Sequence, residues 1–443
     1  MGHTQAYLDE LVGWATARLQ RAEVLTASFS GEDADFVRFN AGAVRQAGSV
    51  RQRAITLDLV EGRRHCAADL QLAGAAELDR PRVAAALDEL REQRRHVPDD
   101  PFLAYATEPV STERIDKADL PEPAAAVAEI RAASTGRDLV GLYASGVSYA
   151  GFASSSGIRH WHETATFNLD WSFYLRADKA AKNLYAGFRW DDSAFAAKVA
   201  WSARQFEALS REPLVLAPGE YRTYLAPAAV KELMELLGWG GFGLKSHRTR
   251  QTPLLRMVTE SATLAPSVRI SEATVQGVAP AFQEQGFVRP DEVVLVEGGR
   301  YAGWLVSPRS AQEYGVATNG ATSAEVPSSL ALAPGSIPAA EVLERLGTGL
   351  YVGNLHYLNF SDRAACRTTG MTRFATFWVD GGEVVAPVEV LRFDDTAYHL
   401  LGDRLVGLTD EVEVLLDPDT YGRRSTGSYR VPGALVGAMT FTL

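Results

Sequence analysis

Cysteine is nearly absent. The 443 residues contain two, Cys66 and Cys366, far apart in the chain. They cannot furnish a four-cysteine zinc site, and they read as reduced thiols of a cytoplasmic protein. Long hydrophobic runs are missing too. No stretch reaches the roughly 18 apolar residues that a membrane-spanning helix needs. The opening MGHTQAYLDELVGW has no basic segment leading into an apolar core, so no secretory signal is expected. Positive charge is in short supply, with 44 Lys+Arg against 55 Asp+Glu and a net charge of −11. That average field repels duplex nucleic acid, whose affinity comes mostly from neutralising phosphates, so direct nucleic-acid binding is not expected. The glycine-rich Gly238–Gly243 lacks the GK[ST] ending of a phosphate-binding loop and follows a helix pattern rather than a strand. No GxSxG serine elbow occurs either.

What is present is an ordinary globular composition, 46% hydrophobic and 22% charged, long enough to bury its own core. Tyr7, Leu8, Leu11, Val12, Ala15 and Leu19 recur at helical spacing. Short β-like segments at 23–30, 34–39, 43–48 and 50–60 follow, separated by Gly31, Gly42 and Gly48. Pro81 is expected to open a second helix from Val83 to about Arg95, and a third is expected near Ala124–Ala133. Segments 138–153 and 158–176 read as an antiparallel pair turning at Ser154–Gly157, and 192–209 as a helix closed by Arg211-Glu-Pro213. A strand at Leu214–Leu216, a helix from Pro227 with Val230, Leu233, Met234 and Leu237 on one stripe, and then β-like segments complete the chain. The β-like segments are Val293–Val296, Tyr301–Val306, Leu350–Leu358, Met371–Val379 and Val384–Val390, with Ala317–Ser329 expected as a surface loop. The fold class is α+β: N-terminal α/β layers with antiparallel sheets, then a β-rich C-terminal domain. The expected units are 1–96, 97–212 and 213–443.

Few residues suggest chemistry by themselves. His160 and His162 share one face of a strand and could begin a metal site, but no third ligand is marked. Two polar histidines on a sheet surface is the more usual outcome. Lys245, His247, Arg248 and Arg250 form a basic run suited to a carboxylate, or more commonly a solvated loop. Cys366 has arginine neighbours that would favour a thiolate, yet a plain thiol is the more frequent case.

Several blocks together resemble the TldD/PmbA family of metallopeptidase-related proteins, once called modulators of DNA gyrase. They are Phe36–Ser49, Ala153–Ile158, Gly349-Leu-Tyr-Val, Gly370–Glu383 and Pro387-Val. The resemblance implies a two-domain α/β protein. Catalytic members of the family carry an HExxxH helix and a distant cysteine that hold zinc. They pair with a ligand-free partner to degrade or trim unfolded peptides. Here the equivalent helix segment is Lys231-Glu-Leu-Met-Glu-Leu236. By that alignment Glu232 falls at the general-base position, while Lys231 and Leu236 replace the two histidines. Neither can ligate zinc. The region around Tyr421-Gly-Arg-Arg-Ser has no cysteine, and Cys366 lies too early to stand in for one. The resemblance therefore implies a TldE/PmbA-like, non-catalytic subunit with no metal or cofactor of its own, zinc being expected in a TldD-like catalytic partner. Extended or unfolded peptide would be held by strand pairing along Gly370–Phe374. Met371, Thr372, Arg373, Phe374 and His247 are the expected substrate contacts. The alternative is a stand-alone peptide-binding or regulatory homodimer, and a third reading is an enzyme with a remodelled site at His160, His162 or Cys366.

Overall fold

The computed structural model describes residues 2–20, 22–177 and 179–442. In chain order, α1 is Gly2–Thr16, β1 Val24–Asn40, β2 Ala43–Glu61, β3 Arg64–Leu72, α2 Ala76–Arg94, β4 Ser111–Asp116, α3 Pro123–Ala133, β5 Asp138–Ser154, β6 Arg159–Arg176, β7 Lys179–Gly187 and α4 Asp192–Leu209. The strands form one sheet in the order β3-β2-β1-β5-β6-β4, with β7 also on β6. All pairings are antiparallel except β4 with β6. The α+β class and the antiparallel N-terminal sheet are thus observed.

The two faces of this sheet are built from opposite chemistry. On β6 the odd positions Trp161, Phe167, Leu169, Trp171 and Phe173 are buried in two apolar clusters with side chains of α1 to α4. The even positions His160, His162, Thr164, Thr166 and Asn168 are polar, yet buried as well. The period of two separates the faces. The rest of the chain covers the polar one.

That C-terminal part begins with β8, Gly219–Leu225, and α5, Pro227–Gly238. Its remaining strands are β9 Ile270–Glu272, β10 Val293–Glu297, β11 Arg300–Tyr301, β12 Ser329–Leu332, β13 Gly349–Asp362, β14 Arg367–Asp380, β15 Glu383–Pro387, β16 Arg392–Thr396, β17 Leu405–Leu408, β18 Glu413–Leu416, β19 Ser428–Val431 and β20 Ala434–Phe441. Pairings β13–β8, β8–β20, β20–β16, β16–β14 and β14–β13 close into a ring. A second sheet runs β11-β10-β9-β12-β19-β18. Helix α5 starts with Pro227 in its first turn, where the missing N–H costs nothing. Its stripe of Ala229, Val230, Leu233, Met234 and Leu237 joins one core with Leu350, Val352, Leu330 and Val436.

Several local expectations change. Gly31 and Gly48 do not break strands, because β1 and β2 run through them; only Gly42, at φ +69°, makes a turn. Gly31 is needed for approach instead, since a Cβ there would lie 2.9 Å from the Gln52 carbonyl. Helix α2 begins at Ala76, ahead of Pro81, because the buried Asp79 carboxylate accepts the N–H groups of Ala73, Gly74 and Ala75 and so fixes the entry. Leu214 makes a single bridge to Val388 rather than a strand, and Tyr301–Val306 contributes only Tyr301 to one. The 317–329 segment is not a surface loop. It buries Glu325, which accepts from the Ser307 and Lys245 amides.

Buried polar groups join the two parts. Arg424, on the segment between β18 and β19, donates to the Gly146 and Thr166 carbonyls at 3.1 Å and to Thr166 Oγ1 at 2.7 Å. Its own amide donates to Glu32, and Gln52 donates to the Gly422 carbonyl. Arg114 of β4 donates to the Thr274 and Gly277 carbonyls. Removing a guanidinium from such a place strands several acceptors. Arg424→Ala is expected to lower unfolding free energy by about 3 kcal/mol, at the upper end for unsatisfied buried groups. Urea denaturation of the two proteins measures it.

Candidate functional site

Between the polar face of the first sheet and the C-terminal part lies a cleft of about 800 Å³. Arg38 and Arg45 of the β1–β2 hairpin stand on one rim, and Asp417 and Asp419 on the segment after β18 stand on another. Asp170 and Tyr174 of β6, Lys182 of β7, the buried Lys231 and exposed Glu235 of α5, and Phe374 of β14 also line it. Lys231 and Glu235, four apart on a helix, face the same way. At the hairpin the register slips between Arg38 and Phe39, which pair with Gln46 and Val44 and leave Arg45 as the extra residue. Such a bulge re-aims a side chain, and here it brings Arg45 to the rim that Arg38 occupies.

The interior charges are paired. Lys182 bonds Asp170 at 2.8 Å. Lys231 bonds Glu235 at 2.5 Å, lies 3.8 Å from Glu232, and sits 5.1 Å over the Tyr429 ring. Burial pulls the Lys231 pKa down, but Glu232 and Glu235 outweigh it, so the ammonium is held above its ordinary value. Burial pushes Glu232 upward, and Lys231 only partly offsets that. Phe374 is in the left-handed region at φ +60°, at an irregularity in the β13–β14 ladder. Its ring meets Tyr174 edge-on at 6.4 Å and has Arg373 and Lys182 over its faces at 4.8 and 6.0 Å.

Of the residues singled out from sequence, Lys231 and Phe374 line this cleft and Glu232 lies beside it. Leu236 is buried. Thr372 is buried, its hydroxyl accepting from the Leu391 amide. Met371 is half-exposed on a strand whose backbone is already occupied: Gly370 and Met371 pair with Phe393 and Arg392 on one side, and Met371 with His356 on the other. Strand addition is therefore not open at those two positions; they can offer side chains only. His247 lies on a short helix, Leu244–Arg248, against Trp304 and Tyr301, outside the cleft lining. Asp170, Lys182, Arg38, Arg45, Asp417 and Asp419 were not singled out by sequence. Only the alternation of β6 hinted at Asp170; the others come together through the fold.

His160 and His162 are neither surface groups nor neighbours of a third ligand. Among the described residues no group of three or more His, Cys, Asp or Glu is placed to hold a metal. His160 donates from Nε2 to the Gly286 carbonyl at 3.1 Å, and its Nδ1 is 2.8 Å from Thr112 Oγ1. His162 donates from Nε2 to the Val278 carbonyl at 3.1 Å. These rings fasten β6 to the C-terminal part as neutral imidazoles. Cys366 is fully buried, and burial raises its thiol to about 12, which leaves it unreactive.

Residues 218–443 match the family model of the PmbA/TldA metallopeptidase C-terminal domain. This chain belongs to the PmbA/TldD family. No curated protein matches its sequence. Solved structures share the fold across nearly the whole chain. TldE from Thermococcus kodakarensis is 13% identical with a TM-score of 0.78, over 99% of this chain and 100% of that one. A candidate modulator of a DNA gyrase from Thermotoga maritima MSB8 is 13% identical with a TM-score of 0.76, over 99% of each chain. A candidate modulator of DNA gyrase from Bacteroides thetaiotaomicron VPI-5482 is 13% identical with a TM-score of 0.73, over 99% and 98%. The metallopeptidase relation raises the question of zinc. The residues of α5 do not fit it: the ammonium of Lys231 has no lone pair to give while paired with Glu235, and Leu236 has no donor.

Burial is the chief cause that holds His162 down to about 4, against an ordinary 6.5. The unfolded chain therefore binds a proton between those values that the folded chain refuses, so His162 makes stability fall as pH drops through that window. The full difference is about 3 kcal/mol at 1.36 kcal/mol per unit. His162→Gln keeps a donor for Val278 and removes the titration. Its unfolding free energy is expected to decline less than wild type between pH 7 and pH 4, as read by chemical denaturation at each pH.

Proposed function

We propose that this chain is the non-catalytic subunit of a two-protein zinc metallopeptidase, holding extended peptide in the cleft while a TldD-like, HExxxH-bearing partner performs hydrolysis. The observation that carries this reading is the ammonium of Lys231, clamped by Glu235 and Glu232 in the cleft wall. An ammonium held in those bonds has no lone pair to offer zinc. Glu232 without a metal has no activated water to deprotonate. What remains is suited to holding: an aromatic pair, Tyr174 and Phe374, in a lining that also carries charged groups. Peptide contact here runs through side chains around Phe374, since the strand backbone at Gly370 and Met371 is taken. The two unbridged cysteines agree with a reducing, cytoplasmic setting.

The test is reconstitution. The purified chain with added zinc is expected to leave a fluorogenic extended peptide intact. Mixed with an HExxxH-bearing relative, it is expected to co-elute and support turnover. In the mixture, Phe374→Ala and Arg373→Glu are each expected to raise KM several-fold without dissolving the complex. Zinc-dependent cleavage by this chain alone overturns the proposal. A stable homodimer that binds peptide but ignores every such relative replaces it with the stand-alone reading.

A further inference from the structure

The charges around the cleft fall into two sets. Those inside are neutralised within the molecule, Lys182 by Asp170 and Lys231 by Glu235. Those on the rims are not. Among the described residues, Arg38 and Arg45 make no ion pair, and neither do Asp417 and Asp419, whose carboxylates accept from backbone amides; Asp417 also lies near enough to Lys231 to help raise its pKa. The two unpaired signs stand on different elements. The cations are on the β1–β2 hairpin, with Arg45 brought there by the bulge. The carboxylates are on the segment that Arg424 pins to the first sheet. The cleft thus has a positive edge and a negative edge, with Tyr174 and Phe374 also lining it.

We propose that the cleft selects short peptides with both ends free, the terminal carboxylate meeting Arg38 and Arg45 and the terminal ammonium meeting Asp417 and Asp419. This rests on the peptide-holding reading above and deepens it by naming the substrate class. A simple anion is drawn to one edge and repelled by the other, and a simple cation the reverse; a molecule carrying both charges at its two ends satisfies both. Size agrees, because about 800 Å³ lies within the roughly 300–1,000 Å³ of sites that enclose small ligands. An internal stretch of a long chain carries no terminal charges and leaves both edges unsatisfied. The two partner subunits together would then favour the trimming of short fragments over entry in mid-chain.

Calorimetry with the tetrapeptide Ala-Phe-Ala-Ala in four forms tests this: free, N-acetylated, C-amidated and doubly blocked. It is run on the whole chain and on its complex with the HExxxH-bearing relative. The free form is expected to bind tightest, and each block to weaken binding about tenfold, as for the loss of one charge-assisted contact. Arg38→Gln with Arg45→Gln is expected to erase the penalty for amidation and leave that for acetylation. Asp417→Asn with Asp419→Asn is expected to do the reverse. These four side chains are outside the apolar core, and unchanged melting temperatures confirm that folding is intact. Equal affinity for all four forms overturns end selection and leaves the peptide-holding reading standing. Absence of binding by every form, to chain and complex alike, overturns both.

Discussion

A sheet that buries both faces while making only one of them apolar has to find partners for the other. That constraint governs this molecule. The helices α1 to α4 cover the aromatic face by hydrophobic burial, which is non-directional. The polar face cannot be covered that way, because a buried polar group without a partner costs free energy comparable to a lost hydrogen bond. His160, His162 and Arg424 meet this by pairing with backbone carbonyls across the junction: the histidines with Gly286 and Val278, and Arg424 with Gly146 and Thr166. Directional bonds of this kind fix how the parts sit, which hydrophobic contact alone does less sharply. The price is a junction that depends on neutral imidazoles and therefore on pH.

The cleft is where that junction does not fill. Its lining comes from five separate stretches of sequence: the first hairpin, β5 to β7, α5, the segment around Phe374 and the segment around Asp417. Family membership places a metallopeptidase relation over this chain. The chemistry of α5 departs from it at the level of single atoms, since an ammonium bonded to a carboxylate has neither the lone pair nor the sign to hold a metal ion. Neither Lys231 nor Leu236 of α5 therefore offers a zinc ion a ligand. The fold tolerates this because α5 is anchored by its opposite stripe, Val230, Leu233, Met234 and Leu237, whose burial is indifferent to what Lys231 does.

Helix α4 was legible to its ends, 192–209, and the structure adds its cap, the Asp191 carboxylate accepting from the Ala194 amide. The antiparallel pair at 138–176 and the stripe of α5 were equally plain, since each is a local period. Errors arose where a distant group overrode a local sign. Asp79 starts α2 before Pro81 through bonds to its own loop and to Tyr7. Gly48 continues a strand because a long partner pairs with it. The polar residues of β6 looked solvent-facing, since alternation reports that two faces differ and not what covers each.

The sequence by itself determined the type and apolar faces of the long elements, the family, and the lysine and leucine at positions 231 and 236 of α5, because each of these is written in local periods or short blocks of residues. Tertiary structure alone decided that His160 and His162 are buried fasteners. It alone brought Arg38 and Arg45 to the same cleft as Asp417 and Asp419, and took the edges of Gly370 and Met371 for its own sheet. The physical reason is range: periodicity and capping act over one or two turns, whereas burial, charge pairing and strand saturation are properties of neighbours that only the folded chain assembles.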